Sequence, residues 1–196
     1  KLIASVGRYW MIFDLYDGAS DTPLYYEHGQ ILAQYFRAFD FSIIGNYRVR
    51  GEGTNMLATI TGLVYTLLPV NMAGSFFFFS GLAFAGTVLC YRAARVAWPT
   101  GNLRTYTLLI FFVPSVLFWP SSLGKDAWIL CWSGLVAWGW VSFMRRGQIK
   151  GLLWIALALL MLQLVRPHVA AFAALSMGTA YLLYSTRGQR SIVAWV

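Results

Sequence analysis

Three groups of residues have the types and spacing to do chemistry. The first is Ser121-Ser122-Leu123-Gly124-Lys125-Asp126, set between two apolar runs. A helix starting near Ser122 would bring together free backbone N–H groups, two hydroxyls and an ammonium. Those are the ingredients of a phosphate site at a helix N-terminus, with the headgroup of a lipid-linked substrate as the anion. The plainer alternative has serine as N-cap, Asp126 answering the helix dipole and Lys125 snorkelling to an interface. A charged pair beside apolar spans is costly unless solvated or paired, so both ions are site candidates.

The second group is Arg166-Pro167-His168, also between apolar segments. A planar guanidinium suits phosphate or pyrophosphate, and a neighbouring histidine exchanges protons near neutral pH. Otherwise Arg166 marks the interface and Pro167 opens the next helix. The third group is Asp14, Asp17 and Asp21. A carboxylate can act as general base towards a sugar hydroxyl, or bind a divalent cation. Its alternative is a solvated loop with a helix cap, since such spacings arise readily by chance. Tyr25, Tyr26 and His28 beside it suit either a sugar ring or the headgroup level of a membrane.

The elements that position these groups follow from composition. Only 11% of the 196 residues are charged and 59% are hydrophobic, too little polar surface to face water. Mean hydropathy is +0.61. The chain therefore reads as an all-α, polytopic integral membrane bundle of about six to seven spans. The net charge of +8 does not imply nucleic acid, because the basic residues stand singly or in pairs at the ends of apolar runs. Membrane lipids are the expected partners. Cys90 and Cys131 lie inside apolar runs without metal or redox spacing, and read as small buried hydrophobes.

Two regions are expected. Residues 1–53 comprise a partial first span or interfacial helix, then an acidic loop. Asp21-Thr22-Pro23 starts a helix there, with Asp21 as N-cap. Tyr25, Leu32, Tyr35, Phe36 and Phe39 then recur at helical spacing and predict an amphipathic helix along the membrane surface. Residues 54–196 hold spans at 54–70, 73–91, 104–119, 127–144, 151–165 and 169–185. The 104–119 and 151–165 segments are short enough to end inside the bilayer. Gly81, Ala85 and Gly86 would let one helix approach another closely. Glu52 pairs with Arg48 and Arg50 in a loop, and Ser191–Val196 resembles the start of another span, as in a piece of a longer protein.

If every span crosses, the loops 14–53, 92–104, 145–150 and 186–190 share one side with eleven Lys/Arg, and only Lys125 and Arg166 lie opposite. The positive-inside rule then makes the loop holding Asp14, Asp17 and Asp21 cytoplasmic.

Asp17…Asp21-Thr22-Pro23-Leu24-Tyr25-Tyr26…Gly29, Gly53-Thr54, Pro114-Ser115…Phe118-Trp119…Ser122…Lys125-Asp126 and Arg166-Pro167 resemble polytopic actinobacterial-type proteins. These are grouped with type-C membrane glycosyltransferases and O-antigen polymerase-like proteins. The resemblance implies a helical enzyme of the plasma (inner) membrane that takes sugars from polyprenyl-phosphate carriers. It implies a catalytic carboxylate in the first non-cytoplasmic loop, matched here by Asp17 or Asp21. Ser122, Lys125, Asp126, Arg166 and His168 would then hold the carrier phosphate. The charge count puts that loop on the wrong face, so the two expectations conflict. The alternatives are a non-catalytic membrane subunit that scaffolds other membrane subunits, and a transporter. The last is disfavoured by few intramembrane acids and no inverted repeat.

Overall fold

The computed structural model describes the backbone of residues 1–49 and 51–193, with side chains except at 45, 52 and 184–193. The ion pair expected of Glu52 and Arg50, the side chains of Arg187 and Arg190, and the last three residues of the expected further span lie outside the described residues.

No strand occurs among the described residues, as an all-α chain requires. α1 (Leu2–Trp10) continues through a π-helical turn, Met11–Leu15. α2 (Asp21–Arg37), α3 (Ile43–Asn46), α4 (Glu52–Leu67), α5 (Met72–Ala97), α6 (Leu103–Phe112) and α7 (Pro114–Phe118) follow. α8 (Lys125–Arg146), α9 (Lys150–Val165) and α10 (Pro167–Val193) complete the order.

α5 and α8 are long and apolar enough to cross a membrane, while 103–112, 150–165 and 167–183 are shorter apolar helices. Only 39% and 33% of the crossing windows of α5 and α8 are buried. Most of each window is thus not enclosed by protein, and that free apolar surface suits lipid.

α5 and α8 pack parallel. Phe76, Phe79 and Ala83 share a core with Leu123, Ala127 and Trp128 near the helix starts. Arg145 Nη2 donates to Ala97 O at 3.1 Å near their ends. Midway, a Cβ on Gly86 would lie 2.2 Å from Leu130 O, and one on Gly134 2.2 Å from Gly86 O. The two backbones touch, and only glycine permits it. Gly81, expected to share this role, has nothing within 4 Å of such a Cβ. α9 runs antiparallel to α8, with Trp128 Nε1 donating to Met161 O at 2.9 Å. α6 and α7 form one traverse broken at Val113 (ψ 125°), because the residue before Pro114 is pushed out of the helical region.

α4 departs from the expected span at 54–70. Thr54 at its start bonds Lys125, the first residue of α8. Tyr65 near its end bonds Ser75 Oγ, in the first turn of α5, at 2.5 Å. Since α5 and α8 start at the same end of the bundle, α4 lies across that end instead of passing through it. Its partner is α2: Leu32 and Phe36 pack on Ala58, and Arg37 Nη2 donates to Tyr65 O at 2.5 Å.

The amphipathic reading of 24–39 changes accordingly. Tyr25, Leu32 and Phe36 are buried against protein, whereas Tyr35 and Phe39 are exposed. The N-cap of α2 is Ser20, whose hydroxyl accepts from Thr22 N, and Asp21 is the first helical residue.

One consequence overrides the charge count. With α4 lying across the end, the loop 14–53 stands at the same end as Lys125 and Arg166, not opposite them. In sequence, the stretch 14–53 and the first turn of α8 hold all seven acids of the chain, together with Arg37 and Arg48. The far end carries Arg92, Arg95, Arg104, Arg145, Arg146 and Lys150, with no acid in 92–104 or 145–150.

Candidate functional site

The near end gathers the starts of α2, α4, α8 and α10. Each sits there for a local reason. Ser20 caps α2, Gly51 is extended before α4, Gly124 is extended before α8, and Pro167 opens α10 after the extended Arg166. Contact with α9 fixes α4: a Cβ on Gly53 would fall 2.1 Å from Val165 O.

These starts build a polar cluster. Lys125 Nζ donates to Thr54 Oγ1 at 2.8 Å. Thr54 adjoins the Tyr25 hydroxyl, which donates a long bond to Asp21 Oδ2 at 3.4 Å. Arg166 Nη2 lies 3.6 Å from Asp126 Oδ1, both side chains half exposed and reachable from solution. Thr22 Oγ1 donates to Leu123 O at 3.0 Å and ties α2 to the turn before α8.

Tyr25 is 1% exposed. Burial, and then the Asp21 carboxylate, push its phenol far above the ordinary value, against a weaker pull from Thr54 and Arg166. It therefore stands as a fixed neutral donor, not a headgroup-level aromatic. Burial likewise pushes Tyr65 up to about 12. A phenol whose folded pKa exceeds its unfolded value stabilises fully below the unfolded pKa, and that stability is lost as pH rises towards the folded one. Stability should thus fall from about pH 10 upward. Tyr25→Phe should lessen that loss, as an alkaline melting series followed by helical circular dichroism would read.

The sequence candidates separate here. Asp21, Lys125, Asp126 and Arg166 come together. Asp17 is exposed, in a left-handed conformation (φ 49°), with no hydrogen bond or ion pair to a described residue. His168 is exposed and likewise without such a partner. Ser122 is buried but does not start the helix: α8 begins at Lys125 with Gly124 as N-cap, and Ser121 Oγ instead donates to Leu117 O at 2.6 Å. His28 Nδ1 bonds the Tyr47 hydroxyl, away from Asp21. No group of three or more His, Cys, Asp or Glu able to hold a metal occurs among the described residues.

Two positions at this end were not singled out from sequence: Thr54, which has no charge to flag it, and Arg8. The Arg8 guanidinium stacks on Trp119 (4.5 Å) and Phe118 (5.3 Å), feels the Asp126 carboxylate, and leaves its buried Nε without a partner. An arginine inside an apolar run was the available signal. A largely apolar groove of about 610 Å³ lies between α1, α5 and α6 with α7, lined by Lys1, Gly7, Phe84, Phe112, Leu117 and Phe118 among others.

Fold and site together define a protein that is all-helical among its described residues, with two helices long and apolar enough to cross a membrane and a charged cluster at one end of the bundle. Comparison with family models, curated proteins and solved structures finds no match for this chain.

Proposed function

We propose that the protein is a membrane-embedded glycosyltransferase or polysaccharide polymerase that takes a sugar from a polyprenyl-phosphate carrier. It is a multi-pass protein of the plasma (inner) membrane, in which α1, α6 with α7, α9 and α10 add traverses to α5 and α8. The observation that carries the reading is the meeting of Asp21 with Lys125 and Arg166 at one end of a bundle that also holds an apolar groove. A carrier lipid has the matching form, an apolar chain ending in phosphate. In this reading the far end, with Arg92, Arg95, Arg104, Arg145, Arg146 and Lys150, is the cytoplasmic one. The site then faces outward.

In the proposed reaction, Asp21 takes the proton from an acceptor sugar hydroxyl as its oxygen attacks the anomeric carbon. The bond from that carbon to the carrier phosphate breaks, its electron pair leaving on phosphate. Lys125 and Arg166 stabilise the leaving charge as cations already held in place before the reaction. Asp126 orients Arg166, and Tyr25 holds Asp21.

Farnesyl phosphate and farnesol titrated into the detergent-purified protein test the carrier half of this reading. Farnesyl phosphate should saturate and bind at least ~10-fold tighter than farnesol, a gap of about 1.4 kcal/mol. Lys125→Ala and Arg166→Gln should each narrow the gap. Equal binding of the two ligands would overturn phosphate recognition. Full function in both variants, with stable co-purification of another membrane protein, would favour the scaffolding subunit instead.

A further inference from the structure

The far end of the bundle holds a second concave site, independent of the transferase reading. A pocket of about 350 Å³ is lined by Arg92, Arg95, Val96, Trp138 and Arg146, where α5 and α8 end side by side. Arg92 and Arg95 are three residues apart on α5 and share a face. The Arg146 guanidinium stacks on Trp138 at 5.0 Å, and that of Arg95 on Tyr91 at 5.8 Å. Stacking occupies the flat faces and leaves the N–H edges, up to five donors per guanidinium, aimed elsewhere. None of the three donates a hydrogen bond to, or ion-pairs with, a described residue, unlike Arg145, which is tied to Ala97 O.

Among the described residues, no carboxylate balances these charges. The loops 92–104 and 145–150 contain no acid, and Asp126 on α8 is about 30 Å away along the helix axis. That is several screening lengths in physiological salt. Three guanidinia converging on one hollow repel each other unless an anion enters.

The geometry points to a phosphate group as that anion, and we propose that this pocket binds one. A carboxylate's two oxygens are filled by a single guanidinium fork, whereas a phosphomonoester has three free oxygens to share among several. The pocket's place at the ends of the two crossing helices sets it at headgroup depth, so an anionic lipid headgroup and a soluble polyphosphate share the required chemistry.

Short-chain phosphatidate and inorganic pyrophosphate, each titrated calorimetrically into the protein in neutral detergent, test this. Arg95→Gln/Arg146→Gln should weaken phosphatidate binding at least ~10-fold. Arg104→Gln/Lys150→Gln, which removes equal charge at the same end, should change it less than ~2-fold. Arg146→Lys keeps the charge but loses the fork, and should also weaken it; this milder change guards against misfolding of the double variant. Saturable phosphatidate with no pyrophosphate binding identifies a lipid headgroup, and saturable binding of both identifies the phosphate group alone. Equal losses in the two double variants would overturn the pocket in favour of diffuse attraction. So would loss of binding in Arg8→Gln, or the absence of saturation with either ligand.

Discussion

Asp21→Asn is expected to lower sugar transfer by ~10²–10⁴-fold, the usual worth of a positioned general base. The helical signal and the melting temperature should stay close to those of the wild type. Asparagine keeps the size of aspartate and an oxygen that can accept from the Tyr25 hydroxyl, now 3.4 Å from Asp21 Oδ2. It loses only the capacity to take a proton. Asp17→Asn is the control, because the Asp17 side chain is exposed and without a described partner. Asparagine also tolerates the left-handed backbone at Asp17 (φ 49°), so no strain confuses the comparison. The readout is incorporation of labelled sugar into the envelope of cells carrying each variant as the sole copy. Loss of incorporation in Asp17→Asn with wild-type incorporation in Asp21→Asn would overturn the assignment of Asp21.

Much of this site was legible because charge is conspicuous in an apolar sequence. Lys125, Asp126 and Arg166 declare themselves by standing between apolar runs, and the structure brings them to one end. Thr54 was invisible as a lysine partner, since a neutral hydroxyl at the start of an apolar run looks like any cap. Arg8 had the signal of charge but lacked its context. Its stacking partners Phe118 and Trp119 lie more than a hundred residues along the chain.

The count of crossings changes at a single element. Residues 54–70 are as apolar as a short span, and composition cannot distinguish a helix that crosses from one that lies across an end. What distinguishes them is the partner surface. α2 covers α4 through Gly29, where a Cβ would meet Thr61 at 2.7 Å, and through Gly62, where one would meet Leu32 at 2.8 Å. Such pairing is a long-range fact, and one miscounted traverse reverses the face assigned to the loop before it. With α4 removed from the count, Arg37 and Arg48 move with the acidic loop, and the Lys/Arg excess that set that loop on the cytoplasmic face shrinks.

Gly86→Ala should be strongly disruptive, costing about 3 kcal/mol or more, at the upper end of the range for overpacking. The added Cβ would fall 2.2 Å from Leu130 O and 2.5 Å from the Cys131 Cα, both of them backbone atoms. A side chain could rotate away from such a contact, but a helix backbone moves only as a unit. Separating α5 from α8 would also disturb Phe76, Phe79 and Ala83 against Leu123, Ala127 and Trp128, the core on which the first turn of α8 rests. Lys125 and Asp126 belong to that turn, so site function should fall with stability in this variant. Gly81→Ala provides the contrast five residues earlier on the same helix. Nothing lies within 4 Å of its Cβ, and it should be neutral or stabilising by about 0.5–1 kcal/mol, as alanine is in a helix interior. Thermal denaturation of both variants in one detergent reads the difference. Equal melting temperatures would mean that α5 and α8 are not in backbone contact at Gly86, and that something other than their packing fixes the register of the near-end cluster.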